Sequence, residues 1–156
     1  MRVTLITVGK TVVPWVKEGL EDYASRLKHY IPFEIKEIPE LKDTKALSES
    51  QIKEKEGALI LKAAGNSEII LLDEHGRQYR SIEFAEQLRR KLAHSTKDIC
   101  FVIGGAYGFS PEVYAAAGAK ISLSPMTFNH QMVRTVFAEQ LYRAFTIIKG
   151  EPYHHE

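Results

Sequence analysis

Two short loops hold most of the groups in this chain that are suited to chemistry. Gly104-Gly105-Ala106-Tyr107-Gly108 follows the apolar run Ile99 to Ile103, and Ser124-Pro125-Met126-Thr127-Phe128-Asn129 follows the alternating residues Ile121 and Leu123. Glycine lets backbone approach a ligand closely, and loops at the carboxyl ends of buried strands are where open α/β sheets bind. Together the two loops can clasp a flat heterocycle, with amides and carbonyls fixing its edge and apolar groups such as Met126 and Phe128 covering its faces. His130 and Arg134 come next, one helical turn apart and so on one face.

Other chemistries lack their residues. Gly9-Lys10-Thr11 resembles only the end of a phosphate-binding loop, because Thr4 stands where its first glycine belongs. Ile103 occupies the first glycine position of a dinucleotide fingerprint, and residues 121–138 contain no acid to hold a ribose. His94, His154 and His155 lack the spacing of metal ligands, so no metal is expected. The single cysteine, Cys100, falls within a strand where a small buried hydrophobe belongs. It excludes an internal disulfide framework and points to a reducing, cytoplasmic setting. With 21 Lys+Arg against 20 Asp+Glu the net charge is +1, which excludes capture of nucleic acid by a long-range positive field. The opening MRVTLITVGK is too short in its apolar run for a secretory signal or a membrane span.

The elements that must position the loops alternate strand-length apolar runs with helical patterns, which predicts one α/β domain over residues 1–156 with a helix-covered parallel sheet. Val3 to Val8 is the first strand. Val16, Leu20, Tyr23 and Leu27 form a helical stripe, with Pro32 as its stop, and Phe33, Ile35 and Ile38 form a second strand. Leu41 to Lys45 reads as a loop. Ser48 and Gln51 have capping-box spacing for a helix that ends at Gly65-Asn66, and its KEKE run, Lys53 to Glu56, reads as a solvated face. Ile69 to Leu72 suits a central strand, with His75-Gly76 as the turn after it. Ser81 is positioned to cap the next helix, in which Arg89, Arg90 and Lys91 face outward. Ser110-Pro111-Glu112 starts another helix that stops near Gly118, and Asn129-His130 starts the last one, which runs to Gly150.

As a set, Val102-Ile103-Gly104-Gly105 with Gly108, Leu123 to Phe128, His130 with Arg134, Tyr142-Arg143-Ala144 and the terminal Pro152-Tyr153-His154 resemble the large-subunit ribosomal RNA pseudouridine methyltransferases of the SPOUT superfamily. The likeness runs from LITVGK and the Trp15 helix to the tail. It implies a parallel-sheet SPOUT fold with a deep trefoil knot in the C-terminal half, a homodimer, and S-adenosylmethionine-dependent methylation of N3 of a pseudouridine. By the same resemblance Leu72, Gly104, Gly105 and Leu123-Ser124-Pro125-Met126-Thr127-Phe128 hold the cofactor, and His130 and Arg134 face the RNA. Arg143, Tyr153 and His154 are the implied catalytic residues.

Asn129 departs from the proline that the family pattern leads one to expect before the histidine. The reaction requires N3 to lose a proton, and two routes stand open: His154 accepts it, or Arg143 stabilises the uracil anion while water takes it. A non-catalytic ribosome-binding module and a SPOUT enzyme acting on tRNA are the alternative functions. The near-zero net charge further suggests recognition of an assembled ribosomal particle rather than naked RNA.

Overall fold

The computed structural model describes residues 1–156. Five parallel strands form one sheet in the order β2-β1-β4-β3-β5: β1 (Val3–Val8), β2 (Phe33–Ile38), β3 (Glu68–Gln78), β4 (Ile99–Ile103) and β5 (Ala119–Ser122). Helices α1 (Pro14–Leu27), α3 (Ser81–His94) and α5 (Met132–Ile148) cover one face, while α2 (Glu49–Ala64) and α4 (Pro111–Ala116) cover the other. Strand alternation divides the core between the two faces. Leu5, Ile70, Ile99 and Phe101 pack with Leu20, Leu88, Phe137 and Leu141, whereas Ile6, Leu71, Cys100 and Val102 pack with Ile60 and Val113. The Cys100 thiol is pushed up to about 11, chiefly by burial, as its expected core position requires. No helix is long and apolar enough to cross a membrane.

Local signals place most boundaries. Ser48 Oγ accepts from the Gln51 amide at 3.1 Å and Gln51 Oε1 accepts from the Ser48 amide at 2.9 Å, the complete capping box. Ser110 caps α4 and Pro111 opens it. Five details differ from the sequence reading. Helix α1 ends at Leu27, before Pro32, and a short 3₁₀ turn at Thr44–Ala46 interrupts the expected loop. Arg80 rather than Ser81 is the N-cap of α3, its amide donating to Glu83 Oε1, because the Ser81 hydroxyl is spent on Gln140. Strand β3 continues past His75-Gly76 instead of turning there: the register shifts between Leu72 and Arg77, and Arg77 and Gln78 pair with β5 again. Gly76 makes this possible, since a Cβ there would meet the Ile121 backbone at 2.7 Å. Finally, α5 begins at Met132, with Asn129 Oδ1 accepting from the Gln131 amide at 2.8 Å just ahead of it.

Candidate active site

The carboxyl ends of β3, β4 and β5 open into one cleft of about 450 Å³, of a size that takes small-molecule ligands. Of the expected cofactor residues, Leu72, Gly104, Gly105, Leu123, Ser124, Met126, Thr127 and Phe128 line it, as does His130, while Pro125 is exposed and outside the lining. Gly105 pairs with Gly108 across the loop, while the amides of Gly104, Ala106 and Tyr107 have no acceptor within the chain, which leaves donors for a ligand. The Ser124 hydroxyl accepts from the Met126 amide at 3.0 Å and fixes the opposing loop.

Sequence reasoning missed the third wall. Asp73, Glu74 and His75, in the irregular stretch of β3, border the cleft, and Thr127 Oγ1 donates to Glu74 Oε2 at 3.1 Å across it. Tyr114 of α4 donates to Asp73 Oδ2, and its hydroxyl is pushed up to about 12, first by burial and then by this bond. Reading His75-Gly76 as a plain turn hid these residues. The two glycines of the central loop make room for protein groups: a Cβ on Gly104 would meet the Phe109 ring at 2.9 Å, and one on Gly105 would meet Glu56 Oε1 at 2.5 Å. Glu56 thus turns inward from the KEKE run expected to be solvated.

Arg134 is not at a surface. Its side chain is 1% exposed, and its guanidinium donates to the carbonyls of Val8 and Gly9, to Thr11 Oγ1 and to the His130 carbonyl at 2.9–3.1 Å. Burial lowers its pKa, countered by Glu37 and Glu40. The RNA-facing place expected for Arg134 is therefore corrected: the residue bolts the start of α5 to the β1–α1 loop.

Arg143, Tyr153 and His154 come together, but away from the cleft. Arg143 donates to Glu139 Oε1 through Nε at 3.1 Å and Nη2 at 2.5 Å, and Tyr153 donates to the same oxygen at 3.0 Å. The Arg143 guanidinium also lies 4.8 Å from the centre of the Tyr153 ring. Burial, followed by the bonds to Tyr23 and Glu139, raises the Tyr153 pKa, so the phenol stays neutral. Arg143 Nη1 stands 3.1 Å from His154 Nδ1. Arginine has no acceptor, so in this bond Nδ1 accepts and the tautomer that fits has its N–H at Nε2, which is buried without a hydrogen-bond partner, 3.9 Å from Glu156 Oε2. Val133 at the cleft and Arg143 in this cluster lie about 15 Å apart along α5, by the rise of a helix. Between them is a second hollow of about 360 Å³, lined in part by Tyr79, Phe84 and Gln140, where Arg80 holds Glu156 at 2.8 Å.

Exposed apolar side chains gather near the start of α5. Val12, Trp15 and Met132 are open to solvent, and the Val12 amide donates to Gln131 Oε1 at 2.9 Å. No group of three or more His, Cys, Asp or Glu converges as a metal site would.

Comparison with known proteins gives a concordant result. Residues 1–154 match the family described as predicted SPOUT methyltransferases. The chain is 54% identical to the ribosomal RNA large subunit methyltransferase H of Phocaeicola vulgatus over 157 positions, covering 100% of both chains. It is 51% identical to the protein of that name from Flavobacterium johnsoniae, again over 100% of both. Among solved structures, a probable methyltransferase from Bordetella pertussis superposes with a TM-score of 0.57 at 14% identity, over 92% of this chain and 96% of that one. A probable methylase family protein from Haemophilus influenzae gives 0.54 at 14% identity, over 99% and 70%. At that identity the two structures speak for the fold.

Proposed function

The chain belongs to the SPOUT methyltransferase family, and from that premise we propose that it is a cytoplasmic, homodimeric enzyme that transfers methyl from S-adenosylmethionine to N3 of a pseudouridine in large-subunit ribosomal RNA. The observation that carries this reading is the 54% identity, over the full length of both chains, to a relative named for methylating that RNA. The cleft supports it. Its unspent amides at Gly104, Ala106 and Tyr107 suit the polar groups of such a ligand, and Leu72, Leu123 and Phe128 supply apolar walls for the adenine ring.

The cofactor supplies an electrophilic methyl group on a sulfonium sulfur, and the protein's task is to hold N3 in line with it. His154 bears its proton on Nε2, so in this arrangement it is a donor rather than the acceptor of the N3 proton. Loss of that proton spreads negative charge over the two uracil carbonyl oxygens that flank N3. Arg143 donates to those oxygens, joined by the Nε2–H of His154 once substrate opens its buried setting beside Glu156, and together they lower the cost of forming the anion, while water carries the proton away. Glu139 orients Arg143, and Tyr153 orients Glu139.

One copy cannot assemble this site, because the cleft and the Arg143 cluster lie at different levels of α5. A second copy completes it by bringing its tail over the first copy's cleft. The exposed Val12, Trp15 and Met132 give such a dimer an apolar contact. The proposal includes the trefoil knot, supported by the return of β5 to β3 after β4, which leaves α4 and α5 on opposite faces of the sheet.

The test is transfer of labelled methyl from S-adenosylmethionine into ribosomes, mapped to the modified nucleotide. Label at N3 of a large-subunit pseudouridine is the expected result. Label in tRNA would move the substrate, and RNA binding without transfer would make the chain a docking module.

A further inference from the structure

The carboxylate of Glu56 is left over from everything described above, and its setting is unusual. Oε1 is sealed from water with no hydrogen-bond partner, and the group is pressed against the Gly105 backbone, so that a Cβ there would fall 2.5 Å from Oε1 and 2.8 Å from Oε2. Gly105 itself lines the cleft, so the backbone of one glycine stands between this acid and any bound ligand. A carboxylate buried without a donor is costly unless a positive charge offsets it. The chain provides none. Burial raises the Glu56 pKa first and Glu40 raises it further, so the group is held toward its neutral form. The site asks for a cation that the fold does not contain.

Resting on the assignment of S-adenosylmethionine to this cleft, we propose that Glu56 determines the preference of the cleft for the cationic methyl donor over the product whose sulfur is uncharged. Transfer of the methyl group to nitrogen turns the sulfonium into a thioether. The positive charge leaves the sulfur, and the adenosine, ammonium and carboxylate parts are unchanged. A carboxyl behind Gly105 that ionises against the bound sulfonium, and loses that partner when the sulfur becomes neutral, therefore distinguishes donor from product with no difference in shape, and lets the product go. Asp73 and Glu74 also border the cleft, but Asp73 is engaged by Tyr114 and the His75 amide, and Glu74 is exposed and accepts from Thr127. Water screens the exposed Glu74 far more than the sealed oxygen of Glu56.

Titration calorimetry on the intact protein with S-adenosylmethionine, S-adenosylhomocysteine and sinefungin, which carries an ammonium in place of the sulfonium, tests this. In Glu56→Gln, affinity for the two cationic ligands should fall about three- to tenfold, while S-adenosylhomocysteine stays within about twofold. The unchanged third ligand also reports an intact cleft. Glu56→Asp keeps the charge but draws it back, and should show a smaller loss of the same selectivity; it serves alone if the Gln variant does not fold. Equal losses for all three ligands would make Glu56 a mere prop for the loop, and an unchanged ratio would remove it from selectivity. Either result overturns the proposal. Failure of the unaltered protein to bind any of the three would instead bring down the cofactor assignment on which the proposal rests.

Discussion

At the residue scale, Arg134 shows how a charged side chain can serve the fold rather than a substrate. Its guanidinium spans two carbonyls of the β1 end, a threonine hydroxyl and the His130 carbonyl just ahead of its own helix, which a planar fork of donors does and a point charge cannot. Arg134→Ala strands the buried carbonyls and should lower unfolding free energy by about 3 kcal/mol, measured in urea; Arg134→Lys should recover only part. An unchanged urea midpoint with weakened RNA binding would restore the RNA-facing role. Gly105 carries a related lesson. The direction its side chain would take is filled by Glu56, so any larger residue there displaces a protein carboxylate before it meets a ligand.

At the scale of elements, α5 links the cleft to the tail. Its first turns border the cleft, and its later turns hold the tail through Glu139 and Arg143. The tail is anchored again by Tyr30, which donates to Glu151 at 2.6 Å and is pushed up to about 12 chiefly by that bond. These anchors leave the cleft walls untouched. Removing Tyr153 to Glu156 should therefore cut turnover about a hundredfold or more and leave donor affinity within about twofold, read as single-turnover rates beside calorimetry. Equal losses in both would make the tail part of the fold, and full activity would exclude it from catalysis.

For the whole molecule, the charge balance matters more once partners are known. Arg89 and Arg90 are exposed but share Glu86, Lys91 is bound to Glu68 at 2.5 Å, Arg143 is bound to Glu139, Arg134 is buried, and Lys149 is exposed. A chain of net charge +1 has no excess of cations to spend on phosphate, whereas gripping naked RNA through roughly 6–10 contacts would cost about 10³–10⁵ in affinity between about 50 and 200 mM salt. Assembled ribosomes should therefore be methylated at least tenfold faster than naked rRNA at matched salt, with a shallow salt dependence. Efficient turnover on naked rRNA would refute particle recognition.

The linear order of residues was enough to settle whatever depends on neighbours in the chain. The β-branched runs of β1 and β4, the Ser48–Gln51 box, the Ser110-Pro111 start and the strand-end placement of both loops are local matters of period, capping and backbone freedom. Because both loops leave the same end of the sheet, on either side of β3, two of the three cleft walls were legible too. The tertiary structure alone decided which charges are spent. Arg134 and Glu56 look alike in the sequence as polar residues on helices, yet one meets carbonyls more than 120 positions away and the other meets a glycine on a different strand's exit. Their opposite fates, fully satisfied and left without a partner, follow from packing across the sheet, which no local period encodes.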